Sequence, residues 1–121
     1  MKEIFFVGAG GMFGAILRFL IVKIPLINSS FPYNTFIVNM IGCFLVGILI
    51  KYSSISNKEL SHLINNFLII GFCGGFTTFS AFSADSINLL NESKYFLFLS
   101  YMISSSVVGI LFCYIGINII K

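Results

Sequence analysis

Followed for its apolar runs, the chain divides into four stretches long enough to cross a bilayer, set apart by short polar interruptions. A span takes about 20 apolar residues, and a charged side chain at the bilayer centre is too unfavourable to be placed there idly. The intervals between charges are therefore the candidate spans. Glu3 and Lys23 bracket residues 4–22, interrupted only by Arg18, which lies near the end and can reach the interface on its long stem. Pro25, the Asn28-Ser29-Ser30 cluster and Pro32 read as a turn, leaving a second helix over 33–50. Residues 51–66 carry most of the serines, asparagines and lysines of the middle of the chain and read as a loop with a short interfacial helix. A third span is expected over 67–86 and a fourth over 95–120, connected through Asn88, Asn91, Glu92, Ser93 and Lys94. The pattern predicts an all-α membrane protein, one domain covering 1–121.

Composition sharpens this. Of 121 residues, 58% are hydrophobic and 9% charged, against about 45–50% and about 25% in soluble domains, so a soluble enzyme is excluded. A net charge of +3, scattered along the chain, is too little for a nucleic-acid surface. Four spans put both termini on one side of the membrane. Lys2, Lys51, Lys58 and Lys121 then face Arg18, Lys23 and Lys94 across it, a split that sets almost no orientation. Two readings stay open: another signal orients the chain, or it inserts both ways up and inverted copies pair as an antiparallel homodimer. Cys43, Cys73 and Cys113 all lie in apolar runs, and an odd number cannot pair off, so they read as reduced thiols without a disulfide or metal role. After Lys2 and Glu3 the apolar run breaks into glycines without a cleavage site, and the first span is expected to be retained.

The candidate chemistry is neutral. Thr35, Asn39 and Cys43 recur every four residues and share one face of the second helix, with Asn39 deepest. Its carboxamide either joins helices or offers N–H donors to an anion. On the fourth helix Tyr101 and Ser105 form one stripe with Ser104 and Ser106 beside it; hydroxyls there either bond back to their own helix or face a path. No carboxylate lies among these groups, which argues against a proton-coupled carrier; Asp85 sits near the end of the third span. That span holds Gly71 to Ser83, with adjacent glycines followed by two threonines, and a break is expected near Gly74 to Thr78. Non-helical backbone at membrane depth survives only when buried in protein or lining a cavity, where its carbonyls can face a cation. Gly71 with Gly75, and Gly10 with Gly14, also make GxxxG pairs that close helix packing alone explains. Phe76, Phe79 and Phe82 follow at intervals of three. Lipid contact is the ordinary use of such rings, but a phenyl edge is the positive end of its quadrupole and can accept a small anion. The glycines Gly8, Gly10, Gly11 and Gly14 miss the GxGxxG spacing, so no nucleotide is implied.

Three segments carry a resemblance to a known family: Gly14 to Arg18 on the first helix, Thr35 to Gly47 on the second, and Gly71 to Phe82 on the third. In order and spacing they resemble the Fluc (CrcB) fluoride channels. The resemblance implies an antiparallel, dual-topology homodimer in a prokaryotic inner membrane, embedded in lipid. It implies passive export of fluoride with no enzymatic step. It further implies a structural sodium ion at the dimer centre, held by the backbone carbonyls of Gly74 and Thr77 at the break. Phe79 and Phe82 become the rings flanking fluoride, Asn39 the pore amide, and Arg18 the arginine near the pore entrance. Thr78 and Ser80 help line the path, and Tyr101 and Ser105 match a polar track on the fourth helix. Three positions depart from the family pattern: Asn34 where glycine is frequent, Ala81 where threonine is usual, and Asp85 where glutamate is common. Small multidrug exporters also have four short spans, but they need an embedded glutamate on the first helix, and residues 4–17 contain none. A non-transporting assembly subunit that uses its glycine faces only to pack is the other alternative.

Overall fold

A computed structural model describes all residues, 1–121, and it is entirely helical. The first helix, α1, runs Lys2–Lys23, and α2 runs Tyr33–Ile55. The third span is composite. It comprises α3 at Lys58–Leu63, a π-helical stretch over Ile64–Cys73, the single turn α4 at Gly74–Phe76, and α5 at Phe79–Asn91. The last helix, α6, is Tyr95–Ile119. Four helical segments are long and apolar enough to cross a membrane: Lys2–Lys23, Tyr33–Ile55, Lys58–Asn91 and Tyr95–Ile119.

The polar stretch 51–66, expected as a loop with a short interfacial helix, does contain a short helix, α3, and is otherwise mostly helix as well. Serine hydroxyls satisfy backbone carbonyls at the end of α2, where Ser54 Oγ donates to the Lys51 carbonyl and Ser56 Oγ to that of Tyr52, each at 2.7 Å. The helix therefore continues past the expected end at residue 50 to Ile55. Asn57 then caps α3, its Oδ1 accepting the Leu60 N–H at 2.9 Å. Ser53 Oγ lies 2.7 Å from Ser61 Oγ and donates to Asn65 Oδ1 at 3.1 Å, so this polarity ties α2 to the third span. The span accordingly begins at Lys58 and not at residue 67, and extends to Asn91 beyond the expected 86. Asn34 clasps the end of α1 from the next helix. Its Nδ2 donates to the carbonyls of Val22 and Ile24, at 2.9 and 2.6 Å, a use that glycine at this position could not serve.

Glycines decide which helices touch. A Cβ on Gly10 or Gly14 would overlap the carbonyl oxygens of Phe67 and Phe72, and one on Gly71 or Gly75 would press on those of Val7 and Gly11. The two GxxxG pairs thus face each other, and α1 runs parallel to the third span with backbone against backbone. A second seam joins α2 to α6, where Gly47 faces the Cys113 carbonyl and Gly116 that of Phe44. Without a hydrophobic force between helices in lipid, such close approach is what holds them. The two seams make two parallel pairs that run opposite to each other. Every glycine has negative φ, so these positions serve proximity and not an unusual backbone.

Candidate functional site

The site begins where the third span stops being a helix. Helical geometry persists through Gly74 and Gly75 and is lost at Thr77 (φ −82, ψ 153) and Thr78 (φ −149, ψ 117), which are extended. Thr77 keeps its N–H and Oγ1 on the Cys73 carbonyl, at 2.9 and 2.7 Å. Thr78 turns away. Its N–H donates to Asn39 Oδ1 at 2.9 Å, and its carbonyl accepts from Asn39 Nδ2 at 3.2 Å. The donor Thr78 N–H fixes which end of the carboxamide faces it. Thr78 Oγ1 then caps α5 by accepting the Ala81 N–H at 3.1 Å, and it lies 3.0 Å from Ser80 Oγ.

Beside the break lies a groove of about 360 Å³ between α2, α5 and α6. It brings together Asn39, Thr78, Phe79, Phe82 and Ser105, five of the residues singled out in the sequence, with Thr77 at its wall. The Phe79 and Phe82 rings are 5.6 Å apart and tilted by 35°. The three consecutive serines of α6, Ser104 to Ser106, differ in their bonding. Ser104 Oγ donates to the Ser100 carbonyl and Ser106 Oγ, on a residue that also lines the groove, to that of Met102, the back-bonding use, whereas the Oγ of groove-lining Ser105 is buried with no partner.

Three other expected residues sit around this centre. Tyr101 is fully buried, packs on Phe82 with ring centroids 4.9 Å apart, and donates its O–H to Asp85 Oδ2 at 3.2 Å. Its donor is thus already engaged. Ser80 lies outside the groove lining but touches it through Thr78. Arg18 crosses to the break, Nε donating to the Gly75 carbonyl at 3.1 Å. Sequence reasoning passed over Met40, Val46 and Cys113, which also line the groove. Cys43 had been placed on the Asn39 stripe and lines it too; nothing in the spacing marked Cys113, one α6 turn beyond Gly109.

No group of three or more His, Cys, Asp or Glu side chains is placed to hold a metal. Backbone oxygens are the alternative, and they are hard ligands suited to hard cations. At the break the Thr78 N–H, four residues on from the Gly74 carbonyl, donates to Asn39 Oδ1 and not back along the helix. Gly74, Phe79 and Ser80, next to the extended residues of the break, are exposed in the single chain.

Comparisons with known proteins converge. Residues 5–117 match the family model described as CrcB-like protein, Camphor Resistance (CrcB). A protein of Azobacteroides pseudotrichonymphae named fluoride-specific ion channel FluC is 44% identical over 113 residues, covering 90% of this chain and 88% of the relative. Proteins of the same name from Phocaeicola vulgatus and Methanococcus maripaludis are 41% and 46% identical, over 97% and 78% of this chain and 97% and 76% of their own lengths.

Proposed function

This chain belongs to the CrcB family and is a multi-pass membrane protein, and from that premise we propose that it is a passive, fluoride-selective channel. The groove beside the break is its permeation path. The carrying observation is the Ser105 hydroxyl, a buried donor with no protein acceptor in a groove edged by two phenylalanine rings. A buried hydroxyl left without a partner is costly unless something passes that accepts its proton.

Counting donors gives the mechanism. An anion leaving water needs hydrogen-bond donors and positive dipoles in place of its hydration shell, held weakly enough to let it leave. Ser105 supplies one O–H. Asn39 keeps one N–H, since the other is on the Thr78 carbonyl. Thr78 and Ser80 share one proton between their oxygens and retain one more to offer. Phe79 and Phe82 supply ring edges. Tyr101, bonded to Asp85, holds the wall of the path beside Phe82 and spends no donor on the ion. Arg18, with Nε on the Gly75 carbonyl, keeps its remaining N–H groups for the entrance. No fixed negative charge stands among the donors. A negative cell interior would favour exit of the anion by about 2.3 kcal/mol per 100 mV, so export from a prokaryotic cytoplasm across the inner membrane needs no enzyme and no nucleotide.

The exposure of Gly74, Phe79 and Ser80 next to the break supports a second, inverted copy as the covering element. Non-helical backbone in the hydrocarbon region must be buried in protein or line water, and the near-even split of basic residues suits insertion both ways up. The Gly74 and Thr77 carbonyls of such a pair are the residues to hold a structural sodium ion, which supplies positive charge at the dimer axis.

Purified protein in liposomes tests the reading. Fluoride efflux without chloride efflux is expected; export of a lipophilic cation driven by protons would overturn it, as would the absence of any flux. Ser105→Ala removes a buried hydroxyl that holds nothing in the protein, so thermal stability should stay level or rise while fluoride flux falls about tenfold, the worth of one hydrogen bond of about 1.4 kcal/mol. Unchanged flux would take Ser105 out of the path.

A further inference from the structure

We propose that Asn39 is the positioning residue of the break. Its carboxamide serves as a one-residue strand partner for Thr78, and by holding the Thr78 N–H it keeps the Gly74 carbonyl out of the helical ladder. The sodium reading enters only at the last consequence, that the freed carbonyl then faces a cation.

The geometry is that of paired strands. An extended residue shows its N–H and its carbonyl to the same side, and a hydrogen-bonded partner in an antiparallel ladder engages both. Thr78 is extended, and Asn39 makes both bonds, at 2.9 and 3.2 Å. A side-chain amide is a peptide group without a chain, so it can play this part from within a helix. No neighbouring group does so. Thr78 Oγ1 is occupied with Ala81, and Thr77 Oγ1 with Cys73. The α2 helix is shaped for the same task one turn further on, where Gly42 leaves the space that the Thr77 Cγ2 fills.

The alternative state follows from the same bookkeeping of donors. Backbone polar groups at membrane depth must find partners within the protein. If Asn39 is lost, the acceptor in helical register with Thr78 N–H is the Gly74 carbonyl. Taking it restores the α-helical bond, straightens the break and withdraws that oxygen. On this reading the break is imposed from α2 and is not intrinsic to Gly74 and Gly75, which are themselves helical.

The experiment reads the backbone directly. Carbon chemical shifts of Thr77 and Thr78, selectively labelled in protein reconstituted into bilayers, report extended or helical geometry by solid-state NMR. Extended shifts are expected for the parent protein and helical shifts for Asn39→Leu, which removes both bonds at similar size. If the leucine variant does not fold, Asn39→Asp carries the test. Ionised or protonated, the carboxyl accepts from Thr78 N–H, the bond on which the proposal rests, so the aspartate variant should keep the extended shifts of the parent at every pH. Extended shifts in a folded leucine variant overturn the proposal, as do helical shifts in the aspartate variant. Sodium-dependent thermal stabilisation is measured alongside. Asn39→Leu should need at least about tenfold more sodium for the same effect, the loss expected when a buried hydrogen-bonded group goes. A parent protein that shows no sodium effect removes the cation step alone, and the shifts still decide the role of Asn39.

Discussion

Gly14→Ala should lower the stability of the purified protein by about 3 kcal/mol, the upper end of what overpacking costs. The new methyl would overlap the Phe72 carbonyl oxygen and sit 2.9 Å from the Phe76 nitrogen. Both are backbone atoms, so no rotamer change relieves the clash, and α1 must move off the third span. That separation also draws Arg18 away from the Gly75 carbonyl, one turn further along the same seam. Gly8→Ala is the matched control. Nothing lies within 4 Å of its Cβ position, and alanine in place of a helical glycine should add up to about 1 kcal/mol. Thermal melts of the two variants in one detergent make the comparison. Equal behaviour would show that the facing glycines do not set the α1 contact.

The second large effect concerns flux. Phe79→Ile should reduce fluoride efflux from liposomes about thirtyfold. An anion at a ring edge is the counterpart of a cation over a ring face, worth about 2 kcal/mol when desolvated, and isoleucine fills the space without the quadrupole. Phe79 is 78% exposed in the single chain, so the fold of the subunit should survive. Phe82→Ile should lose flux to a similar degree and stability as well, because the Phe82 ring also packs on buried Tyr101. Full flux through either folded variant would remove that ring from the path.

The four-span architecture was legible because apolar length is a crude signal that survives without knowing the neighbours. Helix ends were less so. Residues 51–66 look like loop by composition, and only the partners of Ser53, Ser54, Ser56 and Asn57 reveal that their polar atoms are used inside and between helices. The glycine pairs could be found by spacing, but the facing of Gly10 and Gly14 onto Gly71 and Gly75 is a relation between elements that no single helix encodes. At the site, spacing placed Asn39 on a face and the serines on a stripe. It could not tell Ser105, whose hydroxyl is free, from Ser104 and Ser106, which bond back, since one residue of rotation around α6 separates the two fates. Nor could it divide the two N–H groups of Asn39 between Thr78 and the groove.

Only seven apolar side chains are buried within the chain, whereas Phe5, Phe96 and Ile110 are each more than 70% exposed. The subunit therefore has little interior of its own, and most of its packing is done by whatever surrounds it. For such a molecule the amphiphile is part of the structure in the way a core is for a soluble domain. Stability should track the acyl length of the host lipid, greatest where hydrocarbon thickness matches helices of 22 to 25 residues and falling on either side. A change of detergent then acts on this protein much as a set of core substitutions acts on another.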